Sequence, residues 1–180
     1  IGVHLEGLEL LGAKVEHNDL DFRLTISRNS LGRNIFLPEA SVTATENILL
    51  SSVLGQGETQ LRNCAKEPHI VDLCKMLVRM GANLEGIGTD TLKINRVGRL
   101  SGVQYRLGPD VIEVGTYAIA AAISGGEIRI SGMDDTDLDP IFVPLKKMGL
   151  LSKREDGILY CSATNLKSVD KIDTNIWPGF

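Results

Sequence analysis

Apolar residues recur along this chain in two rhythms. Around Thr45–Gly57 (TENILLSSVLGQG) and Val114–Gly126 (VGTYAIAAAISGG) small and aliphatic residues fall at helical spacing, and glycine closes each stretch. The two stretches lie 69 residues apart. Capping-box spacings, Thr43-x-x-Glu46 and Asp110-x-x-Glu113, predict where the helices start. Short apolar runs at Thr59–Arg62 and Glu127–Ser131 predict strands after them. Amphipathic stretches at Pro68–Arg79 and about Thr136–Lys147 predict a second pair of helices. Pro140 suits the opening of the later one, whereas Pro144 predicts a kink.

The remaining strands complete a repeat. Leu-Gly-Ala-Lys-Val begins at Leu11, Met-Gly-Ala-Asn-Leu at Met80 and Met-Gly-Leu-Leu at Met148, in steps of 69 and 68 residues. Each phrase precedes two short apolar runs: Lys14–Glu16 with Phe22–Ile26, Asn83–Glu85 with Thr91–Ile94, and Leu150–Ser152 with Ile158–Cys161. Turn residues separate the runs: Asn18-Asp19, Gly88-Thr-Asp90 and Asp156-Gly157. The unit therefore reads βαβαββ over roughly 70 residues. Residues 1–27 hold the end of one copy, 33–96 a second and about 103–162 a third. This predicts an α/β (α+β) fold of repeated units. A doubly wound nucleotide fold does not fit, because no glycine-rich phosphate loop follows a strand and Gly86-x-Gly88 sits in a hairpin turn.

Composition narrows the function class. Lys and Arg total 19 against 23 Asp and Glu, a formal net charge of −4. That balance argues against nucleic acid or an anionic membrane as the main partner. Hydrophobic residues at 43% predict an ordinary globular chain, and aromatics at 4% leave its core to Leu, Ile, Val and Ala. The longest apolar stretch, Val111–Ile123, carries Glu113 and Tyr117 and falls short of the ~18 residues of a membrane span. Cys64, Cys74 and Cys161 are odd in number and widely spaced, which predicts buried thiols in a reducing, cytoplasmic setting. His4, His17 and His69 have no i, i+4 mate, so neither a metal nor a cofactor is expected. The acidic residues Asp134, Asp135, Asp137 and Asp139 are expected to complement a helix dipole rather than bind calcium. Glu67-Pro68 is expected to open a helix.

Three phrases carry a family resemblance: Ser41-Val-Thr-Ala-Thr-Glu-Asn47, Ala65-Lys-Glu-Pro-His-Ile-Val-Asp72 and Pro109-Asp-Val-Ile-Glu-Val-Gly-Thr116. With Gly88-Thr-Asp90, His4-x-x-Gly-Leu-Glu-x-Leu-Gly-Ala13 and Pro178-Gly-Phe180 in the same order, the whole chain resembles the UDP-N-acetylglucosamine 1-carboxyvinyltransferases. The resemblance implies an inverse α/β-barrel of the enolpyruvyl transferase type, with three units in each of two lobes. It implies that residues 1–108 belong to the lobe bearing the catalytic loop and 109–180 form one unit of the second lobe. It also implies enolpyruvate transfer from phosphoenolpyruvate to UDP-N-acetylglucosamine in peptidoglycan precursor synthesis. Both ends are expected to be cut: the loop cysteine belongs just upstream of Ile1 and the catalytic aspartate just beyond Phe180. No catalytic residue is therefore expected in this chain, which alone should not turn over.

The resemblance places part of the sugar-nucleotide site at Glu39, Ala40, Ser41, Val42 and Thr43, with Val3 at the tail of a uracil-lining stretch. The placement makes physical sense, because a helix start presents free N–H groups and a positive dipole end to an anion. Several positions depart from the family pattern. Glu39 stands where lysine is usual, Thr43 replaces glycine, Val111 replaces arginine and Val114 replaces alanine. The alternatives are a 5-enolpyruvylshikimate-3-phosphate synthase-like enzyme and a non-catalytic interaction or regulatory module of the same fold.

Overall fold

In the computed structural model, which describes residues 1–26, 31–133, 137–163 and 165–180, the two rhythms become helices laid on small sheets. The chain divides into two compact units, Ile1–Arg106 and Leu107–Phe180. The first contains α1 (Gly2–Leu10), β1 (Ala13–His17), β2 (Phe22–Ile26), β3 (Asn34–Phe36), α2 (Val42–Val53), β4 (Glu58–Arg62), α3 (Pro68–Arg79), β5 (Asn83–Glu85) and β6 (Thr91–Asn95). The second contains α4 (Val111–Ile123), β7 (Glu127–Ser131), α5 (Asp139–Lys147), β8 (Leu150–Glu155) and β9 (Ile158–Ala163).

Residues 34–95 form one complete βαβαββ unit. Its sheet runs β3-β4-β6-β5, with β3 parallel to β4 and the other neighbours antiparallel. α2 buries Ala44, Thr45, Ile48, Leu49, Ser52 and Val53, the stripe that its periodicity calls for. Those residues meet Ile70, Cys74 and Leu77 of α3 and Ile35, Leu61, Leu92 and Ile94 of the sheet in one core. Each fully buried Leu or Ile contributes about 1.5–3 kcal/mol.

The later copy reproduces this order with one difference. Its sheet is β7-β9-β8, all antiparallel, matching β4-β6-β5. The expected leading strand from about residue 103 does not form. Instead Tyr105 donates its hydroxyl to Asp72 Oδ1 at 2.6 Å, and the Arg79 guanidinium lies 5.7 Å from the Tyr105 ring centre. The Ser101 N–H also donates to Met80 O at 2.8 Å. These contacts hold the segment against the exit of α3.

In the earliest copy, β1 and β2 pair as an antiparallel hairpin with Ala13 opposite Ile26. On β6 the alternate residues Leu92 and Ile94 are buried, whereas Phe22, Leu24 and Ile26 of β2 stay exposed. No strand equivalent to β4 pairs with β2 among the described residues. A period-2 apolar face is buried only if something covers it.

Two helices, α2 and α5, differ from the sequence expectation. α2 starts three residues before Thr45, and its cap is Ser41, not Thr43. Ser41 is extended (φ −77°, ψ 123°) and its side chain accepts from Ala44 N, so Thr43 already lies in the first turn. Asp110 does cap α4, accepting from Ile112 N at 2.9 Å and Glu113 N at 3.2 Å. α5 runs through Pro144 to Lys147 with Pro140 in its first turn. The missing N–H of Pro144 forfeits one bond to the Pro140 carbonyl without ending the helix. Thr136, Asp134 and Asp135 lie outside the described residues; Asp137 Oδ1 accepts from Asp139 N at 3.1 Å. Among the described residues no helix is long and apolar enough to cross a membrane.

Candidate functional site

Parallel pairing of β3 and β4 delivers the chain to two helices at one edge of the sheet. β3 leads through residues 37–41 into α2, and β4 leads through 63–67 into α3. Asn63, a non-glycine residue at φ 55°, donates from Nδ2 to Leu37 O at 2.9 Å and ties the two connections together. Thr45, fully buried in the first turn of α2, strengthens the tie. Its Oγ1 donates to Ser41 O at 2.8 Å and accepts from Ala65 N at 2.9 Å. Two helix N-termini are thus fixed side by side, each with unpaired N–H groups and a positive dipole end.

The start of α2 has the finer detail. Ser41 Oγ takes Ala44 N at 3.3 Å and Ser41 O takes Thr45 N at 3.0 Å. The N–H groups of Val42 and Thr43 have no acceptor inside the helix. Ala40, Ser41 and Val42 are half-buried, while Glu39 and Thr43 are exposed. Glu39 contributes its carbonyl to Ser41 N at 2.8 Å. Val3 and Val42 both pack against the core of the first unit.

α1 packs beside α2 and brings one polar group to this start. His4 Nε2 lies 3.2 Å from Thr43 Oγ1, and its Nδ1 lies 2.8 Å from Asn47 Nδ2. The Asn47 amide donates to Nδ1, so the imidazole proton belongs on Nε2, which donates to Thr43. This tautomer is assigned from the hydrogen bonds. Sequence reasoning missed His4 and Asn47, which stand 43 residues apart and meet only through helix packing. It also missed Glu67, whose Oε2 is buried with no hydrogen-bond partner at the start of α3.

The buried thiols are poor nucleophiles. Burial pushes Cys64 up from 9.0 to about 11; backbone hydrogen bonds oppose that rise, and the Asp90 and Glu67 carboxylates add to it. Burial likewise raises Cys74, with a smaller contribution from Cys64, and Cys161, both to about 11. No group of His, Cys, Asp and Glu among the described residues is arranged to hold a metal. In the second unit, a surface cleft of about 450 Å³ is lined by Asp137, Asp139, Phe142, Ser152, Arg154 and Leu159. That cleft includes none of the residues at the start of α2.

Repeated βαβαββ units with paired helix starts at one sheet edge define a class of α/β repeat protein. Within that class, the family model described as EPSP synthase (3-phosphoshikimate 1-carboxyvinyltransferase) matches residues 1–178, and the chain belongs to this family. It is 42% identical over its whole length to the UDP-N-acetylglucosamine 1-carboxyvinyltransferase 3 of Caldanaerobacter subterraneus, of which it spans 43%. It is also 42% identical to the UDP-N-acetylglucosamine 1-carboxyvinyltransferase of Novosphingobium aromaticivorans, spanning 42% of it. The chain therefore spans less than half the length of these relatives. Its fold matches that of the enolpyruvyl transferase NikO from Streptomyces tendae, with a TM-score of 0.75 and 22% identity, over 89% of this chain and 41% of that one. EPSP synthase from Acinetobacter baumannii matches with a TM-score of 0.62 and 20% identity, over 88% and 38% of the two chains.

Proposed function

We propose that this chain is part of a cytoplasmic enzyme that transfers enolpyruvate from phosphoenolpyruvate to UDP-N-acetylglucosamine for peptidoglycan synthesis. In this reading residues 1–108 belong to the lobe of the catalytic loop and 109–180 contribute one unit of the other lobe. The start of α2 supports the sugar-nucleotide assignment best. Free N–H groups on Val42 and Thr43, the hydroxyls of Ser41 and Thr43, and the helix dipole suit a diphosphate. Ala40 lets the chain approach closely, and Val3 offers an apolar edge for the base.

That chemistry also needs a proton donor for the methylene carbon and a base for the sugar hydroxyl. With its three thiols buried, the chain offers none of them to the substrate in this reading. It is expected to release no phosphate from phosphoenolpyruvate when given UDP-N-acetylglucosamine, and measurable turnover would refute that division of labour. Glu39 sets a carboxylate beside the proposed diphosphate position and weakens its binding. Glu39→Lys should tighten UDP-N-acetylglucosamine roughly tenfold at low ionic strength, with the gain shrinking as salt screens it. Calorimetric titration of both proteins tests this. Equal affinities, or no binding by either, place the diphosphate elsewhere.

A further inference from the structure

We propose that His4 is a positioning residue that fixes the Thr43 hydroxyl as a hydrogen-bond donor at the start of α2. The inference rests on the assignment of that helix start to the diphosphate. A threonine hydroxyl has one proton and two lone pairs. Its role toward a ligand therefore depends on what its neighbour does. If His4 carried its proton on Nδ1, bare Nε2 would accept from Thr43, and the hydroxyl could only accept from anything else. An anion, which only accepts, would then gain nothing from it.

With the Asn47 amide turned so that its nitrogen faces the ring, the hydrogen bonds assign the other state. Asn47 Nδ2 stands 2.8 Å from Nδ1 and donates to it, leaving the proton on Nε2, 3.2 Å from Thr43 Oγ1. Thr43 accepts from His4 and keeps its own proton for a phosphate oxygen. Thr43 and Asn47 sit one helical turn apart on α2, so a single ring on α1 addresses both. α1 is held in place because Gly7 packs directly on buried Ile48 of α2. His4 touches no ligand in this scheme; it acts through Thr43. An exposed hydroxyl on a free rotor would serve an anion less well, because its orientation would have to be fixed on binding.

The test uses the full chain at pH 8, with two readouts. Nitrogen–proton correlation spectra of the free protein should show His4 protonated at Nε2 and bare at Nδ1, and Asn47→Leu should mix the two tautomers. Calorimetry with UDP-N-acetylglucosamine should then show Thr43→Val and His4→Ala each weakening binding roughly tenfold, about one charge-assisted hydrogen bond. His4→Gln, which retains a donor near Nε2, should stay within about twofold of the unaltered chain. In the Thr43→Val background, His4→Ala should bring no further loss, the signature of a residue acting through its neighbour. A proton found on Nδ1, unchanged affinity in His4→Ala, failure of His4→Gln to restore binding, or additive losses would each overturn the inference. Binding with additive losses sinks this inference alone. No binding by the unaltered chain sinks the assignment of the helix start and this inference with it.

Discussion

Alanine at Gly149 is expected to destabilise the second unit by about 3–5 kcal/mol, whereas alanine at Gly12 or Gly81 should cost the first unit about 1–2 kcal/mol. All three glycines follow a helix exit at the same place in the repeat, at φ 96°, 105° and 97° for Gly12, Gly81 and Gly149. An L-residue is strained in that conformation, so a shared penalty applies at each position. Surroundings then separate them. A Cβ at Gly12 or Gly81 meets nothing within 4 Å, while one at Gly149 collides with Asn165 O and falls 3.2 Å from its carbonyl carbon. Backbone cannot rotate away as a side chain can. Relief means moving the strand-exit segment that returns over this turn, which also threatens the bond from Lys167 N to Met148 O at 3.0 Å. Urea titrations followed by circular dichroism, and by the emission of Trp177 in the second unit, measure the series. Equal losses at all three positions would show that the close approach of Asn165 carries no weight.

Those same glycines explain why the fold was legible. Local chemistry repeats at nearly constant spacing, and each copy needs the same left-handed exit, so one signal appears three times. Asp110 was readable as a cap for a similar reason: its carboxylate meets N–H groups two and three residues on. The cap of α2 was misplaced because Ser41 and Thr43 are both good capping residues. Backbone conformation decides between them, and Ser41 is the one that is extended. The absent leading strand of the later copy had no local warning. Tyr105 is a good strand residue, but its hydroxyl finds Asp72, 33 positions earlier, and that tertiary bond overrides propensity.

The candidate site divides along the same line. Glu39 to Thr43 are contiguous, so one helix start and a resemblance were enough to group them. His4 and Asn47 join that start only when α1 lies on α2, which no periodicity announces. Glu67 was noticed merely as the opening of a helix. Its buried, unpartnered Oε2 contradicts the ordinary expectation for a carboxylate at a helix N-cap, where the nearby N–H groups usually satisfy it. Pattern identifies the elements; which polar groups face one another depends on packing between them.

Raising the pH from about 8.5 to 11 is expected to remove several kcal/mol from the first unit and about half as much from the second. Cys64 and Cys74 are buried in the core of the first unit and Cys161 in that of the second. Burial disfavours the thiolate and raises each from 9.0 to about 11. In the unfolded chain the thiols ionise at their ordinary value, and in the folded chain they stay protonated. Their contribution is thus fully present below about pH 9 and is lost as the pH climbs through about 11. A displacement of two pH units corresponds to about 2–3 kcal/mol for each thiol. Urea unfolding at pH 8, 9.5 and 10.5 should show a steeper decline for the first unit than for the second. Cys64→Ala with Cys74→Ala begins less stable, because two small cavities form, but its decline should flatten. Were the double variant to lose stability as steeply as the unaltered chain, the alkaline sensitivity would lie in other groups, Tyr105 first among them. Its hydroxyl is raised to about 12, chiefly by burial and then by its bond to Asp72.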